Sequence, residues 1–173
     1  MAGVTTGDAE LREAAVRDPL LADLRRRWEA ARGASSFPRS ADLDPVDLAA
    51  MAGDLLRVEM EAPHPHFRVS WIGTSMVMWF RRDITGMRLD ELAPHPHFRL
   101  FLDALNRAVS RQAPVELAAR VNGENRTGES RVMEFEALLL PLAGDGETID
   151  GLLVACRQQR AAQAQGAPAA LSA

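Results

Sequence analysis

The sequence predicts an α+β domain in which helices face one antiparallel sheet, and three observations support this prediction. Residues 55–60 and 67–72 alternate between apolar and polar side chains, as two strands would. A stretch after Pro96 carries apolar residues at a 3.6-residue spacing, which indicates an amphipathic helix. Three more strand candidates follow Pro114, so the predicted sheet has five strands.

An amphipathic helix is predicted ahead of the sheet. Asp18 followed by Pro19 is a typical helix start, and Gly33 stands where a helix C-cap is expected. We expect the apolar stripe of this helix to form a dimerisation or docking surface, with packing on the chain's own sheet as the alternative. The residues of that expected interface are Leu20, Leu21, Leu24 and Trp28.

The chain divides into four predicted parts. Asp44-Pro45 predicts a second, short helix that runs to about Ala52 and ends at Gly53. The ends are small and polar, and the C-terminal end is rich in Ala, Gln, Pro and Gly, so both ends have little core potential. The parts are a flexible N-terminus (1–17), an N-terminal helical segment (18–52), the main domain (53–157) and a disordered tail (158–173).

The main domain begins with a hairpin. Its second strand alternates Phe67, Val69 and Trp71 with polar residues, which places those three side chains on one face. Short helices are predicted over residues 74–80 and 89–92, and the long helix follows. The later strands are predicted over residues 115–121, 131–142 and 151–157, and residues 137–140 form a continuous apolar run. Helices are expected to cover one face of the sheet.

Composition excludes several classes of protein. The 173 residues suit one domain, and the net charge of −4 comes from interleaved acids and bases rather than a basic patch, so no nucleic-acid partner is expected. No stretch reaches about 18 consecutive apolar residues, which argues against a membrane span. The single cysteine, Cys156, cannot form an intramolecular disulfide, and no signal peptide is present, so we expect a cytoplasmic protein.

The four histidines lie in two copies of Ala-Pro-His-Pro-His-Phe-Arg, at residues 62–68 and 93–99. A His-x-His pair can supply two nitrogens to zinc or copper, but no cysteine lies near and the neighbouring acids lack metal-motif spacing. We therefore predict no metal site, with unliganded, exposed histidines as the interpretation. The weak candidates are His64, His66, His95 and His97.

Several short motifs resemble a bacterial family of stand-alone PAS domain proteins. Residues 67–74 (Phe-Arg-Val-Ser-Trp-Ile-Gly-Thr) and 83–86 (Asp-Ile-Thr-Gly) are similar to the strand-to-helix segment of PAS proteins. Residues 42–45 and 140–146 resemble that family's N-terminal segment and last hairpin. The resemblance implies a five-stranded antiparallel sheet faced by helices that enclose a small pocket. It also implies a sensory module without catalytic activity, and because no kinase, cyclase or DNA-binding segment is attached we expect any output to go through a partner.

The resemblance implies a small-molecule ligand, a partner protein or a homodimer. Apolar pocket residues are expected on the strand and helix faces that enclose the pocket, and Arg68, Ser70 and Thr74 would add polar contacts. The expected apolar residues are Trp71, Met76, Trp79, Phe80, Leu92, Phe101, Leu105 and Val109.

Two alternatives remain open. Some PAS sensors bind haem through a histidine on the long helix, where His97 lies, so haem or a metal is the alternative to a chain without a cofactor. Flavin photochemistry needs a cysteine in an Asn-Cys-Arg motif, which this chain lacks. A small α+β enzyme is the second alternative, but the histidines in proline-flanked turns and the strand position of Glu134 and Glu136 among apolar neighbours argue against it.

Overall fold

The computed structural model describes residues 4–6, 9–45, 47–61, 66–92, 96–124 and 130–159. Short 3-10 helices span Ser40–Leu43, Ala52–Asp54 and Leu89–Leu92. The α-helices are α1 (Pro19–Arg32), α2 (Thr74–Phe80) and α3 (Pro96–Arg111). The strands are β1 (Val4–Thr6), β2 (Ala9–Glu13), β3 (Leu55–Glu61), β4 (His66–Ile72), β5 (Val115–Glu124), β6 (Ser130–Leu142) and β7 (Gly151–Gln159).

The described strands form one antiparallel sheet in the order β1-β2-β5-β6-β7-β3-β4. All five predicted strands are present, so the predicted α+β fold with an antiparallel sheet and facing helices is confirmed. Strands β1 and β2 extend the sheet at the edge of β5, inside a segment to which the sequence assigned no element. Strand β2 contributes one apolar side chain to a core, Leu11, so it carries little local strand signal.

Helices cover both faces of the sheet, and the prediction that they cover one face was wrong. On one face, α2, the Leu89–Leu92 turn and α3 enclose what we call the helix-side core. On the other face, α1 and the described residues of 37–45 and 47–51 enclose the α1-side core. The continuous apolar run of β6 follows from this arrangement, because Ala137 and Leu139 enter the first core while Leu138 and Leu140 enter the second.

Helix α1 is fixed at its start and along its apolar face. The Asp18 carboxylate accepts hydrogen bonds from the amides of Leu20 at 2.9 Å and Leu21 at 3.3 Å, which satisfies two free donors of the first turn. Leu21, Leu24 and Trp28 are buried in the α1-side core, and Leu20 packs against it. The Trp28 indole Nε1 donates to the Pro141 carbonyl at 2.7 Å.

The short helix predicted after Asp44 is replaced by hydrogen-bonded turns in the described residues 45 and 47–51. The amides of Asp47, Leu48 and Met51 each donate to the carbonyl three residues earlier. These are the hydrogen bonds of turns, whereas an α-helix has bonds to the carbonyl four residues earlier. Leu48 and Met51 nevertheless point into the α1-side core. The segment therefore packs on the sheet without forming a regular helix.

Gly73 joins β4 to α2 where two backbone segments nearly touch. A Cβ at this position would lie 2.2 Å from the Ala52 carbonyl oxygen and 2.4 Å from that of Gly53. The Gly73 amide also donates to the Leu55 carbonyl at 2.8 Å. Only glycine allows this approach, which explains the Gly in the strand-to-helix motif.

Candidate functional site

The helix-side core brings together most of the residues predicted to line a pocket. Met76, Leu92 and Leu105 are buried in it. Four more of the predicted residues are partly buried and pack against it: Trp79, Phe80, Phe101 and Val109. The floor is the sheet, with Phe67 and Val69 fully buried beneath the helices.

Trp71 lies on the opposite face of the sheet because β4 contains a bulge. Val69 pairs with Val58 and Trp71 pairs with Arg57, so Ser70 has no partner of its own on β3. An extra residue in one strand moves every later side chain to the other face. Ile72 therefore packs against the helix-side core, and Trp71 packs against the α1-side core.

The polar residues expected in the pocket point elsewhere. The Arg68 guanidinium forms an ion pair with Glu61, with Nη2 3.1 Å from Oε2, and also donates to the Gly86 carbonyl. These bonds join the β3–β4 hairpin to the loop before Met87, and the hydrogen bond from Arg68 holds the pKa of Glu61 below its ordinary value. Thr74 is exposed at the first position of α2. Ser70 is partly buried and donates a long hydrogen bond to the Arg57 carbonyl.

Aromatic pairs lie at the periphery of the helix-side core. The rings of Phe80 on α2 and Phe98 on α3 stack with centroids 5.1 Å apart. Trp79 meets Phe135 of β6 edge-on, with centroids 3.9 Å apart. Phe98 and Phe135 were not predicted as pocket residues, although the helical spacing already placed Phe98 on the apolar face of α3. These pairs connect both helices to the sheet through three partly buried rings, Trp79, Phe80 and Phe98, and one buried ring, Phe135.

The chemistry available in this core is apolar. Among the described residues the only buried charged side chain is Glu136, whose Oε2 accepts the amides of Arg17 and Asp18 beside α1, away from this core. Cys156 packs against the core, and its burial, with the charge of Asp54, raises the pKa of its thiol. The side chains that line the core therefore offer dispersion, sulfur and ring contacts but no buried charge.

Two surface grooves lie outside the helix-side core. One, of about 340 Å³, is bordered by Arg25 and Arg111. The other, of about 360 Å³, is bordered by Arg12 and the buried Glu136. None of the predicted pocket residues lines either groove. The described apolar side chains of the helix-side core pack against one another, so a molecule that enters among them must displace some of them.

One histidine has a described environment. His66 Nδ1 lies 3.5 Å from a carboxylate oxygen of Asp90, which also binds Arg88. The predictions for His64 and His95, and for the side chain of His97, lie outside the described residues. Within the described ranges no three His, Cys, Asp or Glu side chains are grouped as metal ligands. In the same part of the chain, no helix has the length and apolar character needed to cross a bilayer.

Comparison with known proteins places this geometry in context. A family model described as PAS domain matches residues 16–155, which is most of the chain. A solved structure described as that of an RNA-binding Light-Oxygen-Voltage receptor aligns with 14% sequence identity and a TM-score of 0.40. That alignment covers 91% of this chain and 39% of the receptor, so this chain spans well under half of the receptor's length. No curated protein sequence matches the chain.

Proposed function

Because this chain belongs to the PAS domain family, we propose that it is a sensory signalling domain whose helix-side core takes up a small, predominantly apolar molecule. The observation that carries the proposal is the composition of that core. Its buried residues are all apolar, and partly buried aromatic and methionine side chains surround them. A role in binding rather than catalysis agrees with this composition, because the described residues of the core include no buried acid or base.

The apolar lining determines which ligand class fits. A charged group that enters this core would lose its hydration without gaining a partner, at a cost of several kcal/mol. An apolar ligand removes its own surface from water, which stabilises the complex by about 25 cal/mol per Å². Met60, Met76 and Met87 line or border the core, and unbranched methionines adjust their shape to a guest more readily than branched residues do.

Uptake of a ligand also supplies a signal. Protein interiors are close-packed, so an added molecule must move the surrounding elements. The elements free to move are α2 and α3, because the sheet beneath them is packed on its other face as well. We propose that a partner protein, either a second copy of this chain or another protein, detects that movement.

Native mass spectrometry of the freshly purified protein tests the proposal. Two matched variants each add the same three carbons to a fully buried alanine. Ala108→Leu overpacks the helix-side core, and Ala155→Leu overpacks the α1-side core. We expect the native protein and Ala155→Leu to carry an extra mass that is lost on denaturation, and Ala108→Leu to lack it.

Retention of the same extra mass by Ala108→Leu would contradict the proposed location of the ligand. A bare mass in all three proteins, together with no thermal stabilisation by indole, would contradict ligand uptake itself. A molecule that binds the native state and not the unfolded state stabilises it by RT ln(1 + [L]/Kd), so indole that binds the core must raise the melting temperature as its concentration exceeds Kd.

A further inference from the structure

Residues 9–18 wrap around the edge of the sheet, and we call this segment the N-terminal strap. Its first half is β2, which pairs with β5 from Ala9↔Val121 to Glu13↔Leu117. Leu117 faces the helix-side core, so the paired Glu13 points to that side of the sheet. The second half leads directly to α1 on the other side. The strap therefore contacts both layers of helices.

An ionic clamp connects the strap to α3. One oxygen of the Glu13 carboxylate lies 2.9 Å from Arg107 Nη1 and 2.8 Å from Arg111 Nη1. These arginines are one helical turn apart, so a single carboxylate can bridge them. The hydrogen bond from Arg111, followed by that from Arg107, holds the pKa of Glu13 below its ordinary value. The carboxylate is therefore charged at neutral pH.

The next residues of the strap bind carboxylates on the α1 side of the sheet. The amide of Val16 donates to Glu116 at 3.0 Å. The amides of Arg17 and Asp18 both donate to Glu136, at 2.7 and 2.8 Å. Only residues 14–16 separate Glu13 from Arg17, and the Ala14 amide is itself bonded to the Glu116 carbonyl. The strap consequently has little slack between its two attachments.

The strap ends in the N-cap of α1. Asp18 caps the helix with one carboxylate oxygen and accepts Arg157 Nε with the other, at 2.8 Å. Arg157 also pairs with Asp54, just before β3. A displacement of the strap must therefore act on the helix cap and on this ion pair together.

From this chain of contacts we infer that the strap couples α3 to α1 across the edge of the sheet. A shift of α3 pulls on Glu13 through Arg107 and Arg111, and the short strap transmits the shift to the cap of α1. The inference rests on the proposed function in one respect, because ligand uptake is the event that shifts α3; the coupling itself does not depend on a ligand. It gives α1, rather than the helix-side core itself, the role of reporting the sensed state to a partner.

Fluorine NMR of the ligand-free protein, labelled with 5-fluorotryptophan, tests the coupling. The Trp28 signal, assigned with Trp28→Phe, reports how α1 sits on the sheet. The double variant Arg107→Gln/Arg111→Gln removes the ionic clamp on the face of the sheet opposite to Trp28. Arg99→Gln removes an exposed arginine of α3 for which no ion pair is described, and is the matched control. We expect the Trp28 signal to shift or broaden in the double variant and to stay unchanged in the control.

Glu13→Gln removes the charge of the clamp from the strap and keeps the side chain's size, so it weakens the same interaction and supports the test if the double variant folds poorly. It should move the Trp28 signal in the same direction, and combining the changes should add little, because all act on one interaction. A Trp28 signal identical to that of the native protein in both clamp variants would overturn the inference. Equal changes in the Arg99→Gln control would overturn it too. No ligand is present, so the result is independent of the mass-spectrometric test.

Discussion

Replacing Trp28 with alanine tests whether α1 is an integral layer of the domain. Trp28 is 3% exposed and its indole donates to the Pro141 carbonyl. A buried tryptophan removes about 150–250 Å² from water, which corresponds to about 4–6 kcal/mol. The lost hydrogen bond adds about 1 kcal/mol, and partial collapse of the cavity offsets part of the sum. We expect a destabilisation of about 3–5 kcal/mol.

Urea unfolding followed by far-UV circular dichroism measures this change without relying on tryptophan fluorescence. In a domain of this size the melting temperature should fall by about 6–20 °C. Met78→Ala is the control, because Met78 is 78% exposed and its truncation should change stability by less than about 0.5 kcal/mol. A Trp28→Ala protein within about 1 kcal/mol of the native protein would refute the packing of α1 on the sheet.

Three further predictions concern single residues. Gly73→Ala should lower the soluble yield and the melting temperature far more than Gly86→Ala. A Cβ at Gly73 would collide with backbone atoms, whereas a Cβ at Gly86 would meet no atom and would only strain a backbone with positive φ. Cys156 is partly buried and its thiol pKa is raised, so it should react with Ellman's reagent at pH 8 much more slowly than a free thiol; reaction as fast as that of a free thiol would contradict this. Asp145 binds the amides of Glu147 and Thr148 and has a lowered pKa, as Glu13 has, so both acids support stability above their ordinary pKa values. As the pH is lowered below about 4, the urea concentration at the unfolding midpoint should therefore decrease; an increase would contradict this prediction.

Local signals in the sequence located most of the elements. The Asp18-Pro19 pair marks the observed start of α1, and residues 74–80 are α2 as predicted. Capping and helical spacing are short-range properties, so they can be read without knowledge of the tertiary structure. The hairpin of β3 and β4 was predictable for the same reason. Alternating apolar and polar residues indicated the two strands, and the prolines between them indicated the turn.

Features that depend on distant contacts were not predictable in this way. Strand β2 exists because it pairs with β5, more than a hundred residues later in the chain, and its own five residues include only two apolar side chains, Ala9 and Leu11, which is too short a pattern to indicate a strand. The bulge at Ser70 moved Trp71 out of the predicted site, because one extra residue reverses the facing of the strand end. The continuous apolar run of β6 did carry a signal, since only a strand covered on both faces can bury consecutive side chains.

Methionine methyl NMR during a titration with indole tests the uptake of an apolar molecule by the helix-side core most directly. Three methionines serve as position markers: Met76 in the helix-side core, Met51 in the α1-side core and Met78 on the surface. The account predicts that the Met76 methyl signal shifts and saturates while those of Met51 and Met78 stay in place. An unchanged Met76 signal at high indole concentration, or a Met51 signal that shifts first, would contradict it.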